Sequence, residues 1–338
     1  MPDTFVVLES FREPRSTTNP YVVQLARSLR ALTGVSVLTF RWTTALFGRY
    51  DVVHLHWPEI LTTGTTPTRA VVNQVRFTLL IARWWLTRTP VVRTVHNLRP
   101  HEGASGPARW LLQAVDRLTT VRIHLNEHTP AGPVPHVVIP HGHYVDWYAP
   151  HPVGDALAER VVTIGIVRAY KQVPHLIEVF RSSAPADGTL HVVGAVPDPA
   201  LADLVEAAAA DDPRVELDLR HVDDARFVAE VTAAELVALP YDGLHNSGLV
   251  LAALSLGRPV LVPDTTTTRA LSAEVGHGWV RMFPAPLDAA TLRDAMSVRI
   301  PDRLPDLSAR GWAGAAVAHR AAFDLAVARR RAGRLSRP

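Results

Sequence analysis

The sequence of 338 residues contains no cysteine, which excludes a disulfide framework and metal sites with cysteine ligands. Long uninterrupted apolar runs are also missing. A membrane-spanning helix needs roughly 20 mostly apolar residues, and Arg76, Arg83 and Arg88 interrupt the most apolar segment, residues 71–92. The first residues, MPDTFVVLES, contain no basic leader and only a short apolar run, which predicts no secretory signal. We therefore expect a cytoplasmic protein, at most peripheral on the inner face of the cell membrane.

A large net charge is absent as well. The 35 Lys and Arg residues nearly balance the 32 Asp and Glu residues, which leaves a formal charge of +3. The sequence has no basic stripe with interleaved aromatic residues, so nucleic acid is not an expected partner. The high isoelectric point reflects many arginines and very few lysines, and this composition does not exclude a basic surface patch.

Short apolar segments alternate with helical segments along most of the chain, a pattern typical of parallel sheets covered by helices on both faces. In the first half the predicted strands are residues 4–10, 35–40, 51–57, 90–97, 122–127 and 136–142. Pro, Gly and aromatic residues interrupt the pattern at 145–160, and a second series of strands begins at 160. The sequence therefore predicts an α/β fold of two Rossmann-like, doubly wound domains that face a cleft.

The predicted first domain comprises residues 1–148, with a C-terminal helix, 309–331, packing back on it, and the second comprises 149–308. Ligands of such sheets bind beyond the carboxyl ends of the strands. Histidines, acids and amides collect there in the first domain, at Asn19, His54, His56, Glu59, His96, Asn97, His101, Glu102, His124, Asn126, Glu127, His128, His141 and His143. A single histidine often only satisfies a backbone group, but the whole set indicates a cleft for a polar substrate or a nucleotide.

Two segments of the second half have the features of a diphosphate site. Arg168 and Lys171 follow a strand and precede a helix, and two cations beside a helix N-terminus attract a diphosphate. Further along, Asn246, Ser247 and Gly248 begin the helix predicted at 247–256, where backbone N–H groups can approach phosphate oxygens. The alternatives are an ordinary charged loop and a helix cap that binds no ligand.

These two segments, GIVRAYKQVPHLIEVF and AAELVALPYDGLHNSGLVLAALSLGRPVLVP, together resemble the C-terminal domain of GT-B glycosyltransferases, in the clan that contains family 4. DVVHLHWPE and VVRTVHN are similar to the loops on the acceptor side of that family. The resemblance implies that 1–148 is the acceptor-side domain and that 149–308 binds the nucleotide sugar. It implies that Arg168 and Lys171 neutralise the diphosphate of a GDP- or UDP-linked donor, with His245, Asn246, Ser247 and Gly248 beside it.

One departure from the family concerns two glutamates, which stand eight residues apart in the E-G-F-G…E-A segment of its helix region. His245 and Ala253 occupy those positions here. The second glutamate usually binds the ribose and the first contacts the transferred sugar. Ribose recognition must therefore differ here, and the resemblance leaves both an inverting and a retaining mechanism open. HLHWPE and NPY resemble glycosyltransferases of exopolysaccharide and glycolipid biosynthesis, which include inverting mannosyltransferases.

The expected activity is transfer of a sugar, without a metal ion, from a nucleotide-diphosphate sugar to a hydroxyl of a glycan, a glycolipid or another small acceptor. An inverting enzyme needs a base near that hydroxyl, and Glu59, His96 and Glu102 are the principal candidates beside His56 and Glu127. In a retaining enzyme His96 would instead bind the donor sugar or the diphosphate.

Two other functions stay open. A sugar-nucleotide epimerase would convert a UDP-sugar without an acceptor, although it usually needs paired acids. A catalytically inactive relative would bind nucleotide without turnover. The oligomeric state is not indicated.

The helix predicted at 68–88 carries Trp84, Trp85 and spaced arginines beside an apolar face. This composition suits an anionic membrane surface near a lipid-linked acceptor, and the arginine-rich tail would add to the attraction. The alternative is that the tryptophan pair packs into the core of the first domain.

Overall fold

The computed structural model describes residues 4–15, 18–97 and 106–335, apart from the side chains of 333–335. The chain divides into two compact units. Unit 1 comprises Met1–Gly142 together with Arg310–Pro338, and unit 2 comprises His143–Ala309.

Each unit is built on a six-stranded parallel sheet. In unit 1 the strand order is β2-β1-β3-β4-β5-β6, and in unit 2 it is β12-β11-β10-β7-β8-β9. The strands of unit 1 are β1 Phe5–Glu9, β2 Val35–Leu38, β3 Val52–Leu55, β4 Val91–Val95, β5 Thr119–His124 and β6 His136–Val138. Those of unit 2 are β7 Arg160–Ile164, β8 Thr189–Val193, β9 Val215–Asp218, β10 Leu236–Ala238, β11 Val260–Pro263 and β12 Val280–Phe283. This arrangement confirms the α/β fold class and the parallel sheet predicted for each half.

Helices connect consecutive strands, as is usual for parallel pairing, except that β5 and β6 are joined by a loop. They are α1 Pro20–Arg30, α2 Trp42–Phe47, α3 Pro67–Thr87, α4 Gly106–Leu118, α5 Val145–Tyr148, α6 Val173–Ser183, α7 Pro199–Ala209, α8 Asp224–Ala233, α9 Gly248–Ser255, α10 Thr266–Val275, α11 Ala289–Ser297 and α12 Trp312–Leu335. Short 3₁₀ segments occur at Pro58–Thr62, Ala169–Lys171 and Ser308–Arg310. Within the described residues, no helix combines the length and the apolar character needed to cross a membrane.

Local sequence explains where several helices begin. Helix α1 begins after Asn19, whose side-chain oxygen accepts a hydrogen bond from the backbone N–H of Tyr21 at 2.9 Å. Helix α3 begins in the same way after Thr66, and a proline occupies the first turn of both helices. Ser or Thr or Asn at the cap, followed by proline, satisfies N–H groups that the helix itself leaves unbonded.

The last helix, α12, belongs to unit 1. Ala316, Phe323 and Ala326 of this helix are buried against Val7 of β1 and Leu25 of α1. The linker expected around 145–160 is partly structured, because Tyr144 and Tyr148 are buried in the main apolar cluster of unit 2. Unit 2 therefore begins at His143, before the boundary expected at 149.

Candidate functional site

The carboxyl ends of three neighbouring strands in unit 1 bring four ionisable side chains together. Glu9 ends β1 directly opposite His54 of β3, and His56 and His96 follow β3 and β4. The Glu9 carboxylate binds both strand-end histidines, Oε1 at 3.0 Å from His54 Nδ1 and Oε2 at 3.0 Å from His56 Nε2. His56 Nδ1 lies 3.1 Å from His96 Nε2. We call Glu9, His54, His56 and His96 the histidine cluster.

Burial and pairing set the charges of this cluster. Glu9 is fully buried; burial raises its pKa, but the interactions with His54 and His56 outweigh this effect and lower the pKa to about 2. The pKa of His56 is lowered to about 4, mainly by burial, although Glu9 opposes the shift. Burial also holds the pKa of His96 well below its ordinary value. At neutral pH the cluster thus contains an ionised carboxylate beside neutral His56 and His96.

Aromatic side chains fix the ring of His96. The indole of Trp57 stacks on it, with centroids 4.1 Å apart and planes inclined by 20°. The phenol ring of Tyr21 meets it edge-on at 5.1 Å. Tyr21 is buried, and its helix α1 begins after the Asn19 cap. Trp57 lies in the segment after β3. The imidazole of His96 is therefore held between residues of two elements of unit 1.

The sequence candidates for a base have different positions. His96 lies within the histidine cluster. Glu59 lies in the 3₁₀ segment Pro58–Thr62, half-buried, and its carboxylate forms no hydrogen bond or ion pair with the part of the chain that the structure describes. Glu102 lies outside the described residues, as does His101. Glu9 was missed; the available signal was a single acid at the end of the apolar strand FVVLE.

Glu9, His54 and His56 are also the one group among the described residues whose possible ligand atoms all lie within 4.8 Å of one another, as a metal site would need. Both carboxylate oxygens are already at hydrogen-bond distance from a ring nitrogen. His54 Nε2 is paired in addition with the hydroxyl of Thr94 at 2.8 Å. These contacts account for the geometry as a hydrogen-bonded network, and we assign no metal to it.

In unit 2, Arg168 and Lys171 lie in the loop between β7 and α6. The Arg168 side chain is exposed, whereas Lys171 is half-buried with its ammonium 5.2 Å from the centroid of the Tyr241 ring. Burial, together with the charge of Arg168, lowers the pKa of Lys171 to about 8. Lys171 is the only lysine in the sequence. A desolvated cation of this kind gains from an anion beside it.

Two glycines shape the floor of this loop. Gly165, with φ of +97°, follows β7, and Gly194, with φ of +141°, follows β8. A Cβ on Gly194 would lie 2.4 Å from the carbonyl oxygen of Gly165, so only glycine permits this approach of the two chains. A Cβ on Gly165 would lie 3.6 Å from the Nζ of Lys171. Because Gly165 and Gly194 carry no side chains, space remains directly beside the ammonium group of Lys171.

The turn before α9 is tied to the same loop. Asp242 receives a hydrogen bond from the side chain of Gln172 at 3.0 Å, and its own N–H donates to the carbonyl of Tyr170 at 3.0 Å. His245, Asn246, Ser247 and Gly248 follow, all half-buried. Ser247 caps α9 by accepting from the N–H of Val250 at 3.3 Å.

The position expected for the second family glutamate lies in the apolar interior of unit 2. Ala253, which occupies it, is fully buried on the core side of α9 among apolar side chains such as Leu251 and Val260. A carboxylate there would need a partner that these neighbours do not offer. The alanine at this position therefore agrees with the apolar packing of the helix.

Comparison with known proteins gives close relatives for nearly the whole chain. Two curated proteins of Xanthomonas campestris pv. campestris, both GDP-mannose:glycolipid 4-β-D-mannosyltransferases, are 41% identical over 309 residues, which cover 90% of this chain and 88% of each relative. No protein-family model matches the chain.

Solved structures share the fold at low sequence identity. AviGT4, a glycosyltransferase involved in avilamycin A biosynthesis, superposes with a TM-score of 0.60 at 14% identity, over 96% of this chain and 98% of its own. Anabaena HepE in complex with UDP-glucose gives 0.59 at 16% identity, over 98% and 99%. An epimerase-like protein, the putative UDP-N-acetylglucosamine 2-epimerase of Listeria monocytogenes, gives 0.52 at 15%, over 95% and 96%.

The buried histidines of unit 1 predict a stability that falls in mild acid. The pKa values of His56 and His141 are lowered from 6.5 to about 4, and that of His319 to about 3, mainly by burial. In the unfolded chain these groups take up protons near pH 6.5, so the unfolded state binds more protons below that pH. We expect the free energy of unfolding to fall from pH 6.5 towards pH 4, by up to about 1.4 kcal/mol per pH unit for each histidine.

Urea denaturation at several pH values tests this with a matched pair of variants. His319→Leu removes one buried imidazole and should reduce the slope by up to about 1.4 kcal/mol per pH unit. His128→Gln, at an exposed position of unit 1, should leave the slope unchanged. The same slope in His319→Leu and in the wild type would mean that His319 is protonated in the folded protein.

Proposed function

This chain belongs to the glycosyltransferase family of the GDP-mannose:glycolipid 4-β-D-mannosyltransferases, and from this premise we propose that it transfers mannose from GDP-mannose to a hydroxyl of a glycolipid. As a glycosyltransferase it moves a sugar from a nucleotide-diphosphate sugar to an acceptor hydroxyl. The identity of 41% along 90% of the chain is the observation that supports the specific donor and acceptor.

The proposed reaction inverts the configuration of the sugar. The mannosyl group of GDP-mannose is α-linked, and a β-linked product follows from a single displacement at its anomeric carbon. The acceptor oxygen loses its proton and forms a bond to that carbon, while the bond to the phosphate oxygen breaks and its electron pair leaves with GDP. Such a step needs a base for the proton and positive charge for the departing diphosphate.

We assign the diphosphate to Arg168, Lys171 and the N-terminus of α9. The first two supply positive charge, and the N–H groups beyond Ser247 supply donors with the favourable end of the helix dipole. These groups offset the charge that develops on GDP, so the proposal requires no metal ion. Lys171 suits this role because its partly buried ammonium lies beside the space left by Gly165.

We assign the role of base to His96. Neutral imidazole is the form that accepts a proton, and the low pKa of His96 keeps it neutral at physiological pH. The stacked Trp57 and the edge of Tyr21 hold its ring in one orientation. Glu59 is the alternative base, but its carboxylate is not oriented by any contact within the described residues.

A face of α3 fits the surface of an anionic membrane, where a glycolipid acceptor would reside. The tryptophan pair is divided: Trp84 is fully buried, and its N–H donates to Tyr50 at 3.0 Å, whereas 66% of Trp85 is exposed. Other apolar side chains more than half exposed along the helix are Val71, Val75, Leu79 and Leu86. The helix contains no acidic residue, and its Arg69 and Arg76 are exposed. Exposed apolar groups combined with positive charge favour anionic lipid over another soluble protein.

The single lysine allows a direct test of the diphosphate site. An amine-selective acylating reagent can react only with Lys171 and the N-terminal amine, so the latter is an internal control. We expect GDP to protect Lys171 and not the N-terminus, as measured by mass spectrometry of the peptide released by cleavage after Arg168 and Arg181. In calorimetry Lys171→Ala should weaken GDP binding about 10- to 100-fold, the loss of one charge-assisted contact, and Lys171→Arg should weaken it less. Equal labelling with and without saturating GDP would remove Lys171 from the site.

Transfer itself is measured with radioactive GDP-mannose and a glycolipid extract of the source organism. We expect label in the lipid-extractable product, with a β-linkage shown by NMR and no transfer from UDP-glucose. His96→Asn should reduce kcat by at least about 100-fold, as expected for loss of a general base, with GDP affinity unchanged. Glu59→Gln should change kcat much less; the reverse order of the two variants would make Glu59 the base.

Sedimentation with vesicles tests the face of α3. The protein should bind vesicles that contain phosphatidylglycerol more tightly than vesicles of phosphatidylcholine alone, and salt should weaken the binding. Trp85→Glu and Leu79→Glu should reduce it, because they place charge on the apolar face. Leu204→Glu, at a similarly exposed leucine of α7 in unit 2, is the matched control. Equal binding by all variants would show that α3 does not contact the lipid.

A further inference from the structure

We propose that Glu9 is a positioning residue for the transfer reaction: through His56 it fixes which nitrogen of His96 carries the proton, and so leaves the lone pair on His96 Nδ1. This inference rests on the proposed role of His96 as the base. Glu9 itself is too deeply buried to contact a substrate, with no exposed surface. It acts through two consecutive hydrogen bonds, of 3.0 Å to His56 and 3.1 Å from His56 to His96.

The direction of both hydrogen bonds follows from the chemistry of the groups. An ionised carboxylate only accepts hydrogen bonds. His56 Nε2, which faces Glu9 Oε2, must therefore carry the proton. Because a neutral imidazole has one N–H, His56 Nδ1 is then an acceptor, and His96 Nε2 must donate to it. A neutral His96 that carries its proton on Nε2 presents the lone pair on Nδ1, the nitrogen that can take the acceptor proton.

The charge states that this argument requires agree with the surroundings. The pKa of Glu9 is lowered to about 2, which keeps it ionised. The pKa of His96 is lowered by burial and by the neighbouring groups His56, His141, His54 and Arg93, in that order. These two lowered pKa values favour an ionised Glu9 at one end of the chain of hydrogen bonds and a neutral His96 at the other.

The second oxygen of Glu9 explains why the carboxylate itself does not rotate. Oε1 is held by His54 Nδ1, whose other nitrogen is paired with the hydroxyl of Thr94 at 2.8 Å. The contact with His54 thus anchors Glu9, and the contact with His56 sets the position of the proton on His56. A glutamine in its place has one oxygen and one N–H₂ group, so it can donate to His56 Nε2. That reversal would move the proton of His56 to Nδ1 and the proton of His96 to Nδ1, and would remove the lone pair.

The tautomers are read directly from the wild-type protein. With ¹⁵N-labelled histidine, the ring nitrogen shifts distinguish the two neutral forms, and the signals of His96 are assigned by their absence in His96→Asn. We expect protonated Nε2 in both His56 and His96. A proton on Nδ1 of His96 would overturn the proposal. This measurement needs no activity, so it separates failure of this inference from failure of the proposed function.

Kinetics of a matched pair of variants test the consequence. Glu9→Gln should lower kcat by about 100-fold or more, since the wrong tautomer in a comparable hydrogen-bonded triad costs about 10⁴, with little change in the KM for GDP-mannose. Thr119→Val removes a buried hydroxyl elsewhere in unit 1, which donates to the carbonyl of Val115, and should destabilise the unit while kcat stays near that of the wild type. Glu9→Asp, which restores the carboxylate, should recover part of the rate. Equal kcat losses in Glu9→Gln and Thr119→Val at matched stability would reduce Glu9 to a structural role.

Discussion

Burying the carboxylate of Glu9 requires compensation, because removing an isolated charge from water costs several kcal/mol. Unit 1 supplies it with two histidines, His54 of β3 and His56 directly after this strand, one for each carboxylate oxygen. Those histidines are in turn confined by Thr94 and His96. The polar centre of the unit is therefore one connected network, in which the orientation of the outermost ring depends on the innermost charge. Removing either partner would leave a buried charge or a buried donor unsatisfied.

The parallel sheet makes this network possible. Neighbouring parallel strands end at the same edge, so residues distant in sequence become adjacent there. Glu9 and His54 are 45 positions apart in sequence but directly opposite one another in the register of β1 and β3. In unit 2 the same edge of the sheet carries the Gly165–Gly194 contact and the loop of Arg168 and Lys171.

The charged side chains of the two units have different surroundings. In unit 1 the charge of Glu9 is internal and is paired with histidine side chains. In unit 2 the cations are only partly enclosed, and nothing in the described part of the chain forms an ion pair with Lys171. Glycosyl transfer from a nucleotide-diphosphate sugar uses positive charge to stabilise the departing diphosphate, and an inverting enzyme also needs a base for the acceptor hydroxyl. Binding of α3 to a membrane would only bring the enzyme close to its acceptor.

The sequence by itself determined the α/β class, the parallel sheets and most long helices, because hydrophobic periodicity, Asn or Ser caps and proline act within a few residues. The six-residue helix α2 has too few turns to show a periodicity, and it was not predicted. His96, Arg168 and Lys171 were site candidates from the sequence because they follow strands, and their roles stay predictions. The burial and the pairing of Glu9 could not be predicted, because an acid at the end of a strand usually faces solvent. The sequence also did not show which of Trp84 and Trp85 is buried and which is exposed. Only the tertiary structure decided these cases, since the partner of Glu9 and the covering of Trp84 come from strands and loops distant in the chain, whose pairing no local pattern encodes.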